Sequence, residues 1–481
     1  MREIDVMKGG HNLSQSPFRK IMSISACVLI GFAALNADQQ GSWQAWKHRL
    51  PIVLAERDAA TTGLLPIDVT FSMFASDIGD PAKEIRLVLK TPEGEKEVPF
   101  QLSRLSTWKR DADGTKSRPT VSGMITFFDI AKGAGPAEYV LLYGNPAAQA
   151  PVYPTDLRVS GDSPAWVIEN SKMIVRLHGR NPLNGDVTKA LRPITAGGWT
   201  VQPAHNTNFN SGQLARVDLK SRPAWPIAPY SGVMHWEPGI FIPARGWMHV
   251  FEWDPPQVCE IEKGPLYVEI RRSGPFPNVP EVKASVVYRI FTGRTYVESS
   301  TRIDVLESVG VVSIRNNDMV FDNGTFTHMA WPIDGKPVIR NLKDYPRVDR
   351  NGDVLRISDD IPYFALLHPA EKIGVGTVQD MYANVGPDGE PPVLFDNSFY
   401  LSNDGREGLM FFFRPLVYFN IGFDRKQLIT VPRGTVYAER NLFPFFEANG
   451  PQPIQDVLAL AAAVKAKPRI KIGALEWPPS R

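Results

Sequence analysis

The sequence predicts an all-β fold, a small N-terminal β-sandwich followed by a large antiparallel one. Three observations carry this. Short apolar or period-2 runs bounded by turn residues recur along the chain, as strands with one or two buried faces require. Proline stands at 42 of 481 residues, against about 5% in average proteins, and at that density it interrupts helices and marks turns and strand ends. One stretch alone, 454–465, reads as a helix: it follows Pro453, is rich in Ala and Leu, and ends before Pro468.

The chain opens with a targeting pattern. Arg19 and Lys20 precede an apolar run over 21–34, and small residues lead to Ala37. Residues 1–37 therefore read as a secretory signal. The run is short for a bilayer span, which takes about 20 residues; a retained anchor is the alternative. The expectation is an exported protein, periplasmic or extracellular, with no stable membrane insertion after cleavage. The chain carries 53 basic and 51 acidic residues. The signal takes with it Arg2, Lys8, Arg19, Lys20, Glu3 and Asp5, which leaves the two signs balanced. Nucleic-acid binders are usually basic, so that class is set aside. Cys259 is the one cysteine left after cleavage, so stability rests on a large core rather than on a disulfide.

Residues 43–150 read as the small sandwich. Segment 67–73 alternates cleanly. Segments 84–90 and 96–102 flank the turn Thr91-Pro92-Glu93-Gly94, a strand–turn–strand unit with one wet face. Strands follow at 122–130 and 138–143, and the Ala/Pro-rich stretch to Pro154 is a linker. The second region covers 160–450. It opens with a hairpin over 166–177 that turns at 169–172. Long strands are expected at 265–272, 282–291 and 295–305, the last two joined by Thr292-Gly293-Arg294. Segment 309–315 pairs next, and 363–367, 373–378 and 409–413 are buried strands. Residues 451–481 are a C-terminal helix and tail.

The run Val286-Val287-Tyr288-Arg289-Ile290-Phe291-Thr292-Gly293-Arg294-Thr295-Tyr296-Val297-Glu298, continued by Ser300 to Val305, resembles the galactose-mutarotase-like β-supersandwich shared by mutarotases and several polysaccharide lyases. The resemblance covers 160–450 as a pattern. Separately, 138–147 looks like the closing strand of a small sandwich domain common in secreted carbohydrate-acting proteins. The chain lacks the long helical array that many such lyases place before their sandwich.

The segment 199–253 stands out. It holds five of the eleven Trp (Trp199, Trp225, Trp236, Trp247 and Trp253) and three of the eight His (His205, His235 and His249). Asn206, Asn208, Asn210, Tyr230, Arg245, Glu237 and Glu252 lie between them. Much of it is punctuated by Pro and Gly and reads as irregular. Long loops in compact domains are usually functional or disordered, and aromatic content of this order argues against disorder. Aromatic faces stack on sugar rings; as readily, Trp fills a core between sheets. His235-Trp236-Glu237 and Trp247-x-His249-x-x-Glu252-Trp253 suit acid/base work or ligation of a divalent metal. Their spacing defines no zinc site, and no motif names a cofactor. His328 is a further histidine candidate. Asp349-Arg350-Asn351-Gly352-Asp353 has the look of a calcium loop, but reads better as a hairpin turn.

What the resemblance implies is a carbohydrate-active enzyme, with a polysaccharide or oligosaccharide as partner. β-Elimination on a uronate glycan needs a cation or amide to neutralise the carboxylate, a base for the adjacent C–H, and an acid for the leaving oxygen. Arg302, or Arg315 with Asn316, fits the first role. His235, His249 or His328 fits base or acid, with Tyr288 as another acid. Trp236, Trp247 and Trp253 are the aromatic subsites. Two alternatives stand beside this reading: a non-catalytic carbohydrate-binding or envelope protein, and a glycoside hydrolase using Glu237 and Glu252 as opposed carboxylates.

Overall fold

A computed structural model describes residues 43–108, 119–179, 210–222, 227, 233–344, 355–359, 361–390, 398–404, 409–418 and 428–473. The signal over 1–37 and the Asp349–Asp353 turn lie outside these residues, as do Trp199, His205, Asn206, Asn208, Trp225 and Tyr230. Nearly all regular structure is antiparallel strand, as the period-2 runs predict. Among the described residues no helix is long and apolar enough to cross a membrane.

The leading unit is a sandwich of a five-stranded and a three-stranded sheet. Its core includes Ile52, Leu54, Leu87, Leu141, Phe71, Ile125 and Phe127. Three details differ from the sequence reading. The strand expected at 96–102 divides at Pro99: Gly94–Glu97 stays beside Ile85–Thr91, and Phe100–Trp108 crosses to the other sheet. Proline has no N–H for the ladder, so the chain changes sheets there. The strand Ile85–Thr91 has no wet face at its centre, because Trp43 and Trp46 cover Val88 from the second side. The tail is not free: Arg469–Ile472 pairs with His48–Ala55 as an edge strand of this leading sheet. The helix Gln455–Lys465 just before it packs Val457 and Leu460 against the larger unit.

The larger unit sets a six-stranded sheet against a nine-stranded one. Ile240, Met248, Ile314 and Phe412 of the first share a core with Val286, Tyr288, Ile303 and Phe443 of the second. The expected hairpins form: Val167–Glu169 with Met173–Leu177, and Val279–Phe291 with Tyr296–Val305 over Gly293 at φ 60°. Within the segment expected to be irregular, short strands form at Leu214–Leu219, Gly239–Ile242 and Gly246–His249. Its Pro and Gly residues shorten the strands rather than abolish them. Polar bonds also cross the sandwich. Asn316 donates to Thr301 at 2.6 Å, Asn317 to Thr377 at 2.9 Å, and Arg414 pairs with Glu439 at 2.5 Å. Such paired groups fix the register of the facing sheets without leaving buried charge alone.

Arg289 ties the two units together. Its guanidinium meets Asp68 of the leading sandwich at 2.8 Å, and Glu269 and Glu298 of the nine-stranded sheet at 2.9 and 3.5 Å. Beside it, Gln101 accepts from the backbone N–H groups of Leu266 and Tyr267 at 3.2 and 3.0 Å.

Candidate functional site

Alternate residues of a strand face opposite sides of its sheet. In the six-stranded sheet, Ile240, Ile242, Met248, Ile314 and Phe412 enter the core. Gly239, Phe241, Trp247, His249, Arg315, Phe411 and Phe413 therefore take the outer face. One rung of that face runs His249–Gly239–Arg315 across three neighbouring strands. Gly239 has a steric reason. A Cβ there would lie 2.6 Å from Nδ1 of His249 and 2.6 and 2.7 Å from the two carboxyl oxygens of Glu237. The missing side chain is the space that Glu237 fills.

The strand Ser313–Asp322 supplies the cations and acids from a bulge. Its register shifts at Ile314/Arg315 and again between Asn316 and Met319, with Asn317 at φ 54°. A bulge re-aims side chains that regular alternation would separate. Here four consecutive polar residues, Arg315, Asn316, Asn317 and Asp318, are all buried. The segment before Glu237 docks on the bulge: Trp236 N–H donates to Asp318 O at 3.1 Å, and Val320 N–H to Met234 O at 2.8 Å.

The groups then meet closely. Glu237 Oε1 lies 3.4 Å from His249 Nδ1. Arg315 stands 4.0 Å from Asp318 and between two rings, 4.1 Å above Trp247 and 4.0 Å above Phe413. Trp247 stacks on His249 at 5.5 Å and is only partly buried. Glu252 approaches the same histidine from its backbone side, accepting from His249 N–H at 3.3 Å.

Burial dominates the protonation. Glu237 is pushed up to about 8 by desolvation, which outweighs the opposing pull of Arg315. Asp318 is raised well above the usual carboxylate range by burial and by the charge of Glu237. The two carboxyls lie within side-chain reach of each other, and like charges this close disfavour ionisation of both. His249 is pushed down to about 4 by burial and is neutral at pH 7. Glu252 is raised, also by burial. The arrangement can hold a proton at neutral pH beside a neutral imidazole, under an aromatic surface.

A second network lies behind this face. Tyr288 is fully buried, with its hydroxyl 2.6 Å from His235 Nδ1, donating to Gln213 at 3.0 Å and accepting from Leu214 N–H at 3.2 Å. With the tyrosine proton on Gln213, His235 must donate from Nδ1. His235 is pushed down to about 3 by burial, then by Arg272. Both residues sit in the interior, not at a surface that substrate reaches.

Of the residues singled out by sequence, the structure brings together Glu237, His249, Trp247, Arg315 and Glu252. Trp236, buried in an apolar cluster with Phe251 and Val320, also meets the ring of His249 edge-on at 5.6 Å, whereas Trp253 sits in the main core with its indole N–H on Pro275 O at 2.8 Å. Asn316 turns away from Arg315 to bond Thr301. Arg302 is no part of the site: its side chain is 57% exposed and grips Asp304 on the outer face of the nine-stranded sheet. His328 is also remote. It lies five strands from Tyr288 in that sheet, a span of about 24 Å at the usual strand spacing, and its ring nitrogen contacts Thr327. The sequence reading missed Gly239, Phe413 and Asp318. The run Arg-Asn-Asn-Asp inside apolar flanks was the signal for the last. Among the described residues no group of three His, Cys, Asp or Glu is arranged to hold a metal ion.

The sequence matches no protein-family model and no curated protein. Solved structures of similar shape include a protein of glycosyl hydrolase family 38 from Enterococcus faecalis, at 10% identity and TM-score 0.49, covering 89% of this chain and 47% of that one. The alpha-galactosidase from Lactobacillus brevis matches at 10% identity and TM-score 0.32, over 65% of this chain and 41% of that one. A galactose mutarotase-like protein from Lactobacillus casei matches at 9% identity and TM-score 0.31, over 58% of this chain and 99% of that one. The chain thus spans about half the length of the first of these.

Proposed function

We propose that this protein acts on carbohydrate as an exported glycoside hydrolase, with its acid/base centre at Glu237 and His249. The observation that carries this is a carboxyl that keeps its proton to about pH 8, 3.4 Å from a neutral imidazole at the edge of an aromatic face. Glycoside hydrolysis needs an acid for the leaving oxygen and a second carboxylate near the sugar. Glu237, with Asp318 behind it, is the proton store. His249 is the group at the face, and Glu252 is the second carboxylate on its other side. Trp247 offers the ring on which a sugar stacks, with Arg315 beneath it.

The β-elimination reading keeps Arg315 as a neutralising cation, but Arg302 and Tyr288 do not join the face. A non-catalytic carbohydrate-binding role is favoured by one observation, the complete burial of both Glu237 and Asp318. Incubation with a panel of neutral and uronate-containing glycans separates the three. Release of reducing ends without an ultraviolet-absorbing unsaturated product supports hydrolysis. Reducing ends released together with an ultraviolet-absorbing unsaturated product support elimination, and binding without release of reducing ends supports the non-catalytic role.

A further inference from the structure

A second cleft, which shares no lining residue with the acid/base face, has a volume of about 600 Å³, within the range of small-molecule sites. It lies where the hairpin turns after Glu169 and after Phe291 meet the end of the strand Val436–Phe446 and the first turns of the helix Gln455–Lys465. Its walls differ in charge. Lys172 and Arg294 stand on the two turns, Glu447 and Asp456 on the strand end and the helix, and Tyr296 and Leu460 give it an apolar side.

The basic wall is rigid. Asn170, itself buried, donates to the carbonyls of Phe291 and Arg294 at 2.7 and 2.8 Å and accepts from the N–H groups of Lys172 and Met173 at 2.8 Å each. Asp156 adds bonds to Ser171 N–H at 2.7 Å and to the Thr292 hydroxyl at 2.6 Å. The two turns are thus fastened to each other before any ligand arrives. Arg294 bonds Gly63 O through one nitrogen, while its buried Nε has no hydrogen-bond partner. Lys172 has no carboxylate partner among the described residues.

We propose that this cleft binds an acidic saccharide, its carboxylate against Lys172 and Arg294 and its hydroxyls on Glu447 and Asp456. The two acids repel a phosphate-rich ligand such as a nucleotide. A plain carboxylic acid leaves them unused. A uronic acid unit combines one carboxylate, several hydroxyl donors and an apolar ring face, which matches the three walls. This site is separate from the Glu237–His249 centre and goes beyond the activity proposed for it.

The test is calorimetric titration of the full chain with digalacturonate and with its neutral counterpart, digalactose. Digalacturonate is expected to bind at least about tenfold more tightly than digalactose, and Lys172→Glu to weaken it by about tenfold or more. Lys172 is exposed, so the variant is expected to keep the wild-type melting temperature. His249→Ala is expected to leave this binding unchanged, which separates the cleft from the acid/base face. Absence of binding, equal binding of the two disaccharides, or indifference to Lys172→Glu overturns the proposal. So does loss of binding in His249→Ala alone.

Discussion

Glu237 and His249 meet at 3.4 Å in the gap left by the absent side chain of Gly239. The contact is made by residues twelve apart in sequence, from a strand entry and a neighbouring strand end. Burial gives the pair its character: the carboxyl keeps its proton and the imidazole stays neutral.

Stability is predicted to depend on pH through this pair. Folded Glu237 titrates at about 8 against 4.5 when unfolded. The folded state therefore holds the extra proton between those values, and its contribution is full below 4.5 and lost as pH rises through 8. His249 and His235 act oppositely, at about 4 and 3 when folded against 6.5 unfolded, so their contribution rises with pH up to 6.5. Above that point the carboxyl pair is left unopposed. Urea unfolding is expected to show stability falling between pH 6.5 and 8, and Glu237→Gln to flatten that limb. An unchanged slope in the variant contradicts the assignment.

Gly239→Ala places a methyl against both partners. Overpacking of this kind costs about 1–3 kcal/mol. Denaturant midpoints should fall accordingly, and the pH limb from Glu237 should change with them. A variant as stable as the parent, with the same pH limb, would show that the gap is not needed.

Arg289 is expected to be the costliest single ion-pair residue to remove. Its side chain is 4% exposed and faces Asp68, Glu269 and Glu298. Arg289→Ala removes the cation that Asp68, Glu269 and Glu298 share, leaving Arg271 beside Glu269 and Arg440 near the other two, at a cost of about 3–5 kcal/mol. Because Asp68 belongs to the leading sandwich, the loss is expected to separate the unfolding of the two units in a calorimetric scan. A single transition at the parental temperature contradicts this.

Arg302→Ala is the matching control. The Arg302–Asp304 pair is exposed, and such pairs contribute about 1 kcal/mol or less. Stability should change within that range and glycan turnover should not change. A large loss of turnover would return Arg302 to the site.

The strands were legible because their apolar periodicity is local. Segments 67–73, 282–291 and 363–367 show this directly: burial alternates, or runs unbroken, as the pattern of residues does. The pairing of Arg469–Ile472 with His48–Ala55 was not legible, since nothing in either segment names a partner over 400 residues away. The same limit applied to the site. Glu237, His249, Trp247 and Arg315 were recognisable by type. Which of them converge depended on a bulge at Arg315–Asp318 and on the rung through Gly239, and both are properties of sheet register. Arg302 looked equivalent to Arg315 in sequence. It differs because its strand turns that position outward, while Ile303 and Val305 turn in.

In the proposed reaction Glu237 supplies, through His249, the proton for chemistry on a glycan. This role is tested most directly by the initial rate of reducing-end release from a panel of glycosides, compared between the parent and Glu237→Gln. The predicted result is turnover of at least one glycoside by the parent and a loss of about 100-fold or more in the variant, with glycan binding retained. No release from any substrate, or a variant as fast as the parent, would remove Glu237 from the chemistry.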